Sequence, residues 1–553
     1  NGIFESSKIY FADILPFNNL GFSYPDPALV PTFNGTIDDV MIFNRSLSSD
    51  EILSIYNATK YQHTQSNLSD GSHTFKAYTQ DLAGNIANSS LINFNTDTVF
   101  PTLNVTSPIN SSNYNSSSIL FNVSSSEEGT GSIIPDIDNS LVSWWRMDDV
   151  NATTGVIDYM GRNNGTRVNA VQTDAGKLGK GMSFDGNGDY VNFTFNANTI
   201  NASQQLTFSS WVKTPSATNV ENNILQIGGN FNNWAVYIDS VDAGKPSLSL
   251  TGAFSARVIA TTNIKDNLWH MVTGTYNGST AVVYVDGVSQ NSGVKTLLSQ
   301  GGNLNSRIGA NNEGNDYFNG TIDDVMIFNR SLSSDEILSL YNATKYQHTQ
   351  SNLSDGSHTF KAYTQDLAGN MANSSLINFN TDTTIPTLNV TSPINSSYYN
   401  SSSVLFNVSS SEEGTGSIIP DIDNSLVSWW RMDDTNGSAN SVVDYLGLNN
   451  GTAQGGAVQT DAGKLGKGMS FDGNGDYINA GNGQSLNVTT NFTISSWVYG
   501  NTFENSAGGG TIIEKFDRSA SPERVQYWLS VLPTGKLKFW AKDSAGTFFS
   551  YTS

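Results

Sequence analysis

The sequence predicts an all-β chain of sandwiches in tandem, on three observations. Apolar and polar residues alternate with a period of two along most of its segments. Asn-Gly pairs and Gly/Ser-rich stretches punctuate those segments as turns. Finally, a long block is written twice: Phe33–Asp149 recurs without a gap at Phe318–Asp434, with six differences in 117 positions. The differences are Ile55/Leu340, Ile86/Met371, Val99/Thr384, Phe100/Ile385, Asn113/Tyr398 and Ile119/Val404. Three of them are apolar exchanges of similar volume, which packed cores accept. At 553 residues the chain is too long for one core, and three to five domains follow from length.

The elements follow in chain order. Ser48 to about Tyr56 reads as the one clear helix of the block, with Ser48 and Glu51 spaced as a capping box. "HTFKAYTQ" (His73–Gln80) is a strand with Phe75 and Ala77 on one face, and "SILFNVS" (Ser118–Ser124) one with Ile119, Phe121 and Val123 on one face. "LTFSSWVKT" (Leu206–Thr214) alternates as a half-buried strand. "WHMVTGTYNGSTAVVYVDG" (Trp269–Gly287) is a hairpin turning at Asn277-Gly278, where both positions tolerate positive φ. Many strands with one helical turn per repeat make sandwiches the default architecture.

Composition narrows the function. A formal net charge of −22 argues against a nucleic-acid partner. No apolar run is long enough to span a bilayer. With no cysteine, disulfides, thiolate metal sites and thiol catalysis are excluded. The five histidines form no close pair, so a zinc site is not expected.

The chain carries 27 Asn-x-Ser/Thr sequons, about double the roughly 14 that chance would give. In the first copy of the block and the stretch before the insert they stand at Asn34, Asn44, Asn57, Asn67, Asn88, Asn104, Asn110, Asn115 and Asn122. The insert adds Asn151, Asn164, Asn192, Asn201 and Asn277. The second copy adds Asn319, Asn329, Asn342, Asn352, Asn373, Asn389, Asn395, Asn400 and Asn407, and the remainder Asn436, Asn450, Asn487 and Asn491. The excess predicts N-linked glycans on an extracellular, cell-surface protein. Sequons without cysteine are the pattern of an archaeal surface protein.

Seven ordered landmarks carry a resemblance. "LVSWWRMDD" (Leu141–Asp149), "GMSFDGNGDYV" (Gly181–Val191), "TFSSWV" (Thr207–Val212), "LWHMVTGTY" (Leu268–Tyr276), "VYVDG" (Val283–Gly287), "RIGA" (Arg307–Ala310) and "FNGTIDDVMIFNRSLSSDEI" (Phe318–Ile337) together resemble a LamG-like, concanavalin A-type jelly roll over about Leu141–Tyr341. "NLSDGSHTFKAYTQDLAGN" (Asn67–Asn85, Asn352–Asn370) and "IPTLNVTSP" (Ile385–Pro393) resemble bacterial and archaeal Ig-like modules. The implied fold is a series of concanavalin A-like jelly rolls alternating with Ig-like β-sandwiches. Residues 1–57 would be the C-terminal part of one jelly roll, 58–140 an Ig-like region, 141–343 a complete jelly roll, 344–425 a second Ig-like region and 426–553 the N-terminal part of another jelly roll. In the preferred threading Thr98–Asn139 is the front half of an Ig-like module whose back half is Lys345–Asp382, with the jelly roll inserted between them. In the contiguous alternative 58–140 is one module. Asn1-Gly2 aligns with Asp286-Gly287, and Ser553 falls just before the counterpart of "LWHMVTGTY". The chain therefore reads either as a window on a longer array or as a subunit whose first 57 residues complete a neighbour's jelly roll. Both imply head-to-tail assembly with other copies of itself.

The same resemblance implies a structural calcium between the start of the jelly roll and its last strand. The matching acids are Asp148, Asp149, Asp323 and Asp324, with copies at Asp433, Asp434, Asp38 and Asp39. Asp185, Asn187 and Asp189 in "DGNGDY" form a weaker cluster that turn chemistry alone accounts for. Trp144-Trp145, Trp429-Trp430 and Trp234 are candidates for stacking on sugars, with one of each pair expected in the core. The Glu-x-Asp-x-x-Glu strand shared by concanavalin A-type glucanases does not occur, and no enzyme is expected. The expected function is that of a glycosylated extracellular fibre or stalk with an adhesive role. The alternative is an adhesin whose variable jelly-roll face recognises surface glycans.

Overall fold

A computed structural model of the chain describes residues 33–58, 60–151, 153–216, 222–229, 234–238, 244–251, 257–314, 316–434, 440–488, 491–500, 509–517, 524–542 and 547–553. They fall into two compact units, divided between Val99 and Phe100.

In the first unit Ser49–Asn57 is helical (α1), and the expected capping box is formed: Glu51 N donates to Ser48 Oγ, and Ser48 N donates to the Glu51 carboxylate. Two hairpins follow, Gly71–Phe75 on Ile92–Thr96 and Tyr78–Gln80 on Ile86–Asn88. Residues 33–47 form no strand there, and Val40, Met41, Ile42 and Phe43 are exposed.

The second unit contains two sandwiches that share strands of the duplicated block. Its first strands are β1 (Leu103–Ser107), β2 (Ser112–Tyr114), β3 (Ile119–Ser125) and β4 (Ser132–Ile137). The jelly roll then runs through β5 (Leu141–Trp145), β6 (Gly181–Asp185), β7 (Tyr190–Asn196), β8 (Leu206–Lys213), β9 (Asn222–Ile227), β10 (Trp234–Ile238), β11 (Pro246–Ser249), β12 (Trp269–Tyr276), β13 (Thr280–Val285), β14 (Asn303–Ile308), β15 (Asn319–Phe328) and the helix α2 (Ser334–Asn342). After it come β16 (Tyr346–Gln350), β17 (Gly356–Gln365), β18 (Met371–Asn373) and β19 (Ile377–Thr381).

One jelly-roll sheet places β15 at its centre, between β6 and β8, with β12 and β13 beyond and β5 also paired to β15. The facing sheet runs β7-β14-β9-β10-β11. Phe184, Phe193, Phe195, Phe208, Trp234, Phe318 and Ile327 fill the space between them at 2% exposure or less. Alternation predicts a half-buried β8, yet the strand is buried on both faces from Leu206 to Val212. Its second face is covered because Trp211 packs into a cluster shared with the neighbouring sandwich. The β12–β13 hairpin forms, but only Gly278 takes positive φ (96°). Asn277 instead accepts the amides of Ser279 and Thr280 on its Oδ1.

The smaller sandwich is assembled from both sides of the jelly roll. β16 pairs with β3, and β3 with β1, while β17 carries β4 on one side and β19 on the other. β2 runs parallel to β19. Ile119, Phe121 and Val123 face one way, as their spacing predicts, against Tyr346, Phe360 and Phe379. Beyond Asp382 the chain forms a hairpin of Leu388–Ser392 on Asn407–Ser410, small sheets over residues 441–479 and a four-stranded sheet from Gly510 to Thr552. There the second "LVSWW" (Leu426–Trp430) forms only a bridge, between Trp430 and Asp444.

Candidate functional sites at the joint and on the outer sheet face

The acidic centre starts from a bulge. Successive strand residues normally point to opposite faces, but the β8–β15 register shifts opposite Ser209/Trp211 and Asp324 adopts φ 46°. Asp324 N donates to Asp323 Oδ1 at 2.9 Å, and both carboxylates come within electrostatic reach of Asp148. Asp323 and Asp324 are fully buried, at 0% and 1% exposure. Burial raises both above the usual carboxylate range, reinforced by the charges of Asp324 and Asp148 at Asp323 and by that of Asp148 at Asp324, which is pushed up to about 8. Burial likewise pushes Asp148 up to about 6.

The structure brings Asp148, Asp149, Asp323 and Asp324 into one neighbourhood, but the protein's own donors already occupy most of their oxygens. Lys177 N and Leu178 N donate to Asp323 Oδ2 at 2.8 and 3.1 Å. Trp144 Nε1 donates to Asp324 Oδ1 at 2.7 Å, and Lys180 N to Asp148 Oδ1 at 2.7 Å. The Arg146 guanidinium reaches Asp148 at 3.0 Å and Asp149 at 3.2 Å. Of these carboxylates only Asp324 has an oxygen, Oδ2, buried without a partner. Calcium needs six to eight oxygens around one point, and among the described residues no three Asp, Glu or His side chains converge to hold an ion. The arrangement does not fit a calcium cage; a guanidinium supplies the positive charge. Asp38 and Asp39 are exposed in the first unit, and Asp433 accepts Lys467 N at 2.7 Å and pairs with Arg431. In "DGNGDY", Asp185 N donates to Asp189 Oδ2 and Asn187 N to Asp185 Oδ1, which are turn bonds.

Arg146, which no metal-ligand pattern includes, ties the two sandwiches together. It donates to Gly369 O at 2.7 Å and to Gln365 Oε1 at 3.4 Å. Gln365 Nε2 in turn donates to Leu178 O, and Gly179 N to Leu367 O at 2.9 Å. The backbones approach so closely that a Cβ at Gly179 would lie 2.9 Å from Gly369 Cα. A second ionic contact sits on the other flank: Arg330 donates to Glu336, Ser140 Oγ and Pro135 O, with Glu336 wholly buried. Between them Trp144, Trp211, Met326 and Phe328 pack with Ile134 and Tyr363 of the smaller sandwich and with Ile337 and Leu340 of α2. The sequence signal for Arg146 is a lone cation in "WRMDD", present in both copies.

Trp144, Trp145 and Trp234 are consequently not sugar platforms. Trp145 belongs to the jelly-roll core and Trp144 to the joint, edge-on to Tyr159 and Tyr363, and both are 0% exposed. Trp234 is equally buried, its Nε1 donating to Leu298 O. Trp429 and Trp430 are half-buried, and Trp430 Nε1 donates to Asn449 O.

A mostly polar layer lies instead on the outer face of the second sheet, where residues alternate with the core positions; it is buried except at Asn192, Arg307 and Tyr190, which are half-buried. Asn192, Arg307, Gln226, Ala235 and Ser249 stand in register across five strands, with Asn223, Tyr237 and Ser247 in a neighbouring row. The two rows contain no carboxylate. Arg307 stacks 4.1 Å from the Tyr190 ring and donates to Asn311 O. Asn223 Oδ1, Ser247 Oγ and Arg307 Nε are buried without partners. The sequence motifs give none of these positions a role.

Of the sequons, Asn436 and the side chain of Asn201 lie outside the described residues. No other sequon asparagine is buried; Asn122, Asn192, Asn319, Asn329 and Asn342 are half-buried and the remainder exposed. No described helix is long and apolar enough to cross a membrane.

Residues 185–338 match the Laminin_G_3 family model, described as the concanavalin A-like lectin/glucanases superfamily. Comparison with curated protein sequences finds no match. Similar solved structures include a Trypanosoma rangeli sialidase (17% identity, 37% of this chain and 33% of that one, TM-score 0.30). Domain 4 of AbnA, a GH43 extracellular arabinanase from Geobacillus stearothermophilus, in complex with arabinotriose, is another (19% identity, 36% of this chain and 98% of that one, TM-score 0.30). A third is the botulinum neurotoxin serotype D binding domain (17% identity, 37% and 51%, TM-score 0.29). The chain spans about a third of the sialidase's length.

Proposed function

We propose that the chain is a segment of a glycosylated extracellular stalk with an adhesive role, in which each jelly roll is an insertion within an Ig-like sandwich. The observation that carries this reading is the origin of the joint. Arg146, Arg330, Glu336, Ser140 and Gln365, the side chains of its polar contacts, all lie in the duplicated block. The insert meets the joint through Leu178, Gly179 and Trp211, and these positions recur as Leu465, Gly466 and Trp497. A chain that repeats a joint and varies elsewhere is one whose modules must meet the same way each time. Exposed sequons support a glycan coat, and assembly with further copies head-to-tail extends the same logic. Electron microscopy of native surface material, with intact mass before and after deglycosylation, tests the reading. Regularly spaced lobes on a glycosylated thread are expected, and isolated, unmodified globules would end it.

A second reading concerns the lobes. The lectin/glucanase description of the matched family supports glycan binding, and the Arg307–Tyr190 pair supplies planar donors and a ring suited to hydroxyl-rich ligands. Titration with neutral and sialylated oligosaccharides should show binding that Arg307→Ala weakens about tenfold. Binding that this substitution leaves unchanged would place the ligand elsewhere.

A further inference from the structure

The jelly roll leaves the smaller sandwich after β4 and returns at β16, and its two ends are fixed side by side, with Asn329 N donating to Ser140 O; the β3–β4 loop also holds the end of α2 through Gly129 N to Asn342 O. The smaller sandwich itself begins at β1 and ends at β19, so a pull along the chain crosses it without passing through residues 141–343. The pull first reaches β1, an antiparallel edge strand on β3, and beyond it β2 and β19, the one parallel pair among the described strands, with Ser112 opposite Phe379 and Tyr114 opposite Thr381. Load enters β2 at its Ser111 end and leaves β19 beyond Thr381, at the opposite end of the pair. That geometry is shear, in which the bonds of the pair resist together. Antiparallel ends that lie side by side, as at β5 and β15, instead unzip, losing their bonds singly and in sequence.

We propose that β2 and β19 form the load-bearing clamp of this chain, and that the jelly roll is a side lobe kept off the load path. The clamp has bonds beyond its three-residue ladder. Ser111 N donates to Asn378 O at 2.6 Å and Asp382 N to Tyr114 O at 2.8 Å. Asn378 N donates to Asn110 Oδ1 at 2.9 Å, and Asn380 Nδ2 to Asn113 Oδ1 at 3.0 Å. Behind them the Tyr114 ring meets Phe379 edge-on at 5.8 Å. The proposal rests on the stalk reading, since a stalk is what would be pulled.

The test is single-molecule pulling on the whole chain, which has no native cysteine and accepts engineered handles cleanly. Handles at Val99→Cys and Thr384→Cys load the clamp; handles at Val99→Cys and Lys345→Cys exit before β19 and bypass it. The first pair should rupture at about twice the force of the second, since forced unfolding reads the barrier on the loaded path. Asn113→Pro, which removes the side-chain acceptor of Asn380 Nδ2 and constrains the β2 backbone, should bring the first value down to the second and leave the second unchanged. Where near-UV dichroism shows that the proline variant does not fold, Asn110→Ala is read in its place. Equal forces for the two handle pairs overturn the clamp, as does a first step of roughly 70 nm, the extended length of the jelly roll alone. Either result would leave the stalk reading standing, because that reading is decided by surface material. A strong clamp in a chain absent from the surface would end the stalk reading alone.

Discussion

The guanidinium of Arg146 in the jelly roll donates 2.7 Å to the carbonyl of Gly369 in the neighbouring sandwich, 223 residues further along the chain. The same group holds Asp148 and Asp149, so one cation both balances the acids expected to bind calcium and fastens two sandwiches. Arg146→Met would leave Asp148 buried without its counter-ion. We expect a loss of about 3–5 kcal/mol in chemical denaturation, with about half recovered in Arg146→Met/Asp148→Asn. A loss under about 1 kcal/mol, the value of an exposed pair, would show that the contact does not fasten the joint.

Calcium removal should have no effect on the jelly roll's stability. With Arg146 in place and only Asp324 Oδ2 buried without a partner among the four carboxylates, adding millimolar calcium or a chelator is expected to leave the melting temperature unchanged. A rise of several degrees on calcium would mean that the carboxylates rearrange to bind an ion.

The acidic centre also sets a pH dependence. Asp148, Asp323 and Asp324 have folded pKa values raised above the ordinary carboxylate value, chiefly by burial. In the unfolded chain they lose their protons near pH 4, while in the folded chain they retain them longer, so stability falls as pH rises from about 4 toward 8. His270 and His358 are raised by their aspartate partners and act in the same direction above the ordinary histidine value. Glu336 is lowered and favours the fold above pH 4.5. Denaturation midpoints should peak near pH 5 and decline to pH 8, and Asp324→Asn should flatten the decline. A midpoint that rises over this interval would contradict the burial argument.

Two ion pairs of identical sequence should differ in value. Arg330–Glu336 has a wholly buried carboxylate, whereas the copy Arg45–Glu51 has an arginine side chain that is 53% exposed. Hydrogen exchange read at α2 should show a cost of about 3–5 kcal/mol for Arg330→Met, and at α1 a much smaller cost for Arg45→Met, whose pair is exposed to solvent. Equal costs would mean that burial is not what distinguishes the pairs.

Much of the fold was legible because it rests on near neighbours. The capping boxes at Ser48/Glu51 and Ser333/Glu336 bond residues three apart, and the Asn277 turn closes on its own amides. The joint was not legible, because Arg146 and Gly369 are brought together only by folding, and neither residue type advertises a partner. The tryptophans misled for the same reason: alternation places Trp144 and Trp145 on opposite faces, but only the presence of a second sandwich buries both.

The duplicated block separates these contributions within one molecule. The sequence by itself determines α1 and α2, the left-handed φ of 46° at both Asp39 and Asp324, and the hairpin register Gly71↔Thr96, repeated as Gly356↔Thr381. Each needs only donors and acceptors that lie within the block. Tertiary structure decides the rest: "NGTIDDVMIF" is the central strand β15 at Asn319–Phe328 and no strand at 34–43, and "LVSWW" is a strand at Leu141–Trp145 but only a bridge in its second copy. A central strand takes its hydrogen bonds and its burial from other strands. At Asn319–Phe328 these are β5, β6 and β8, more than a hundred residues earlier in the chain, and among the described residues no strand pairs with the identical residues 34–43.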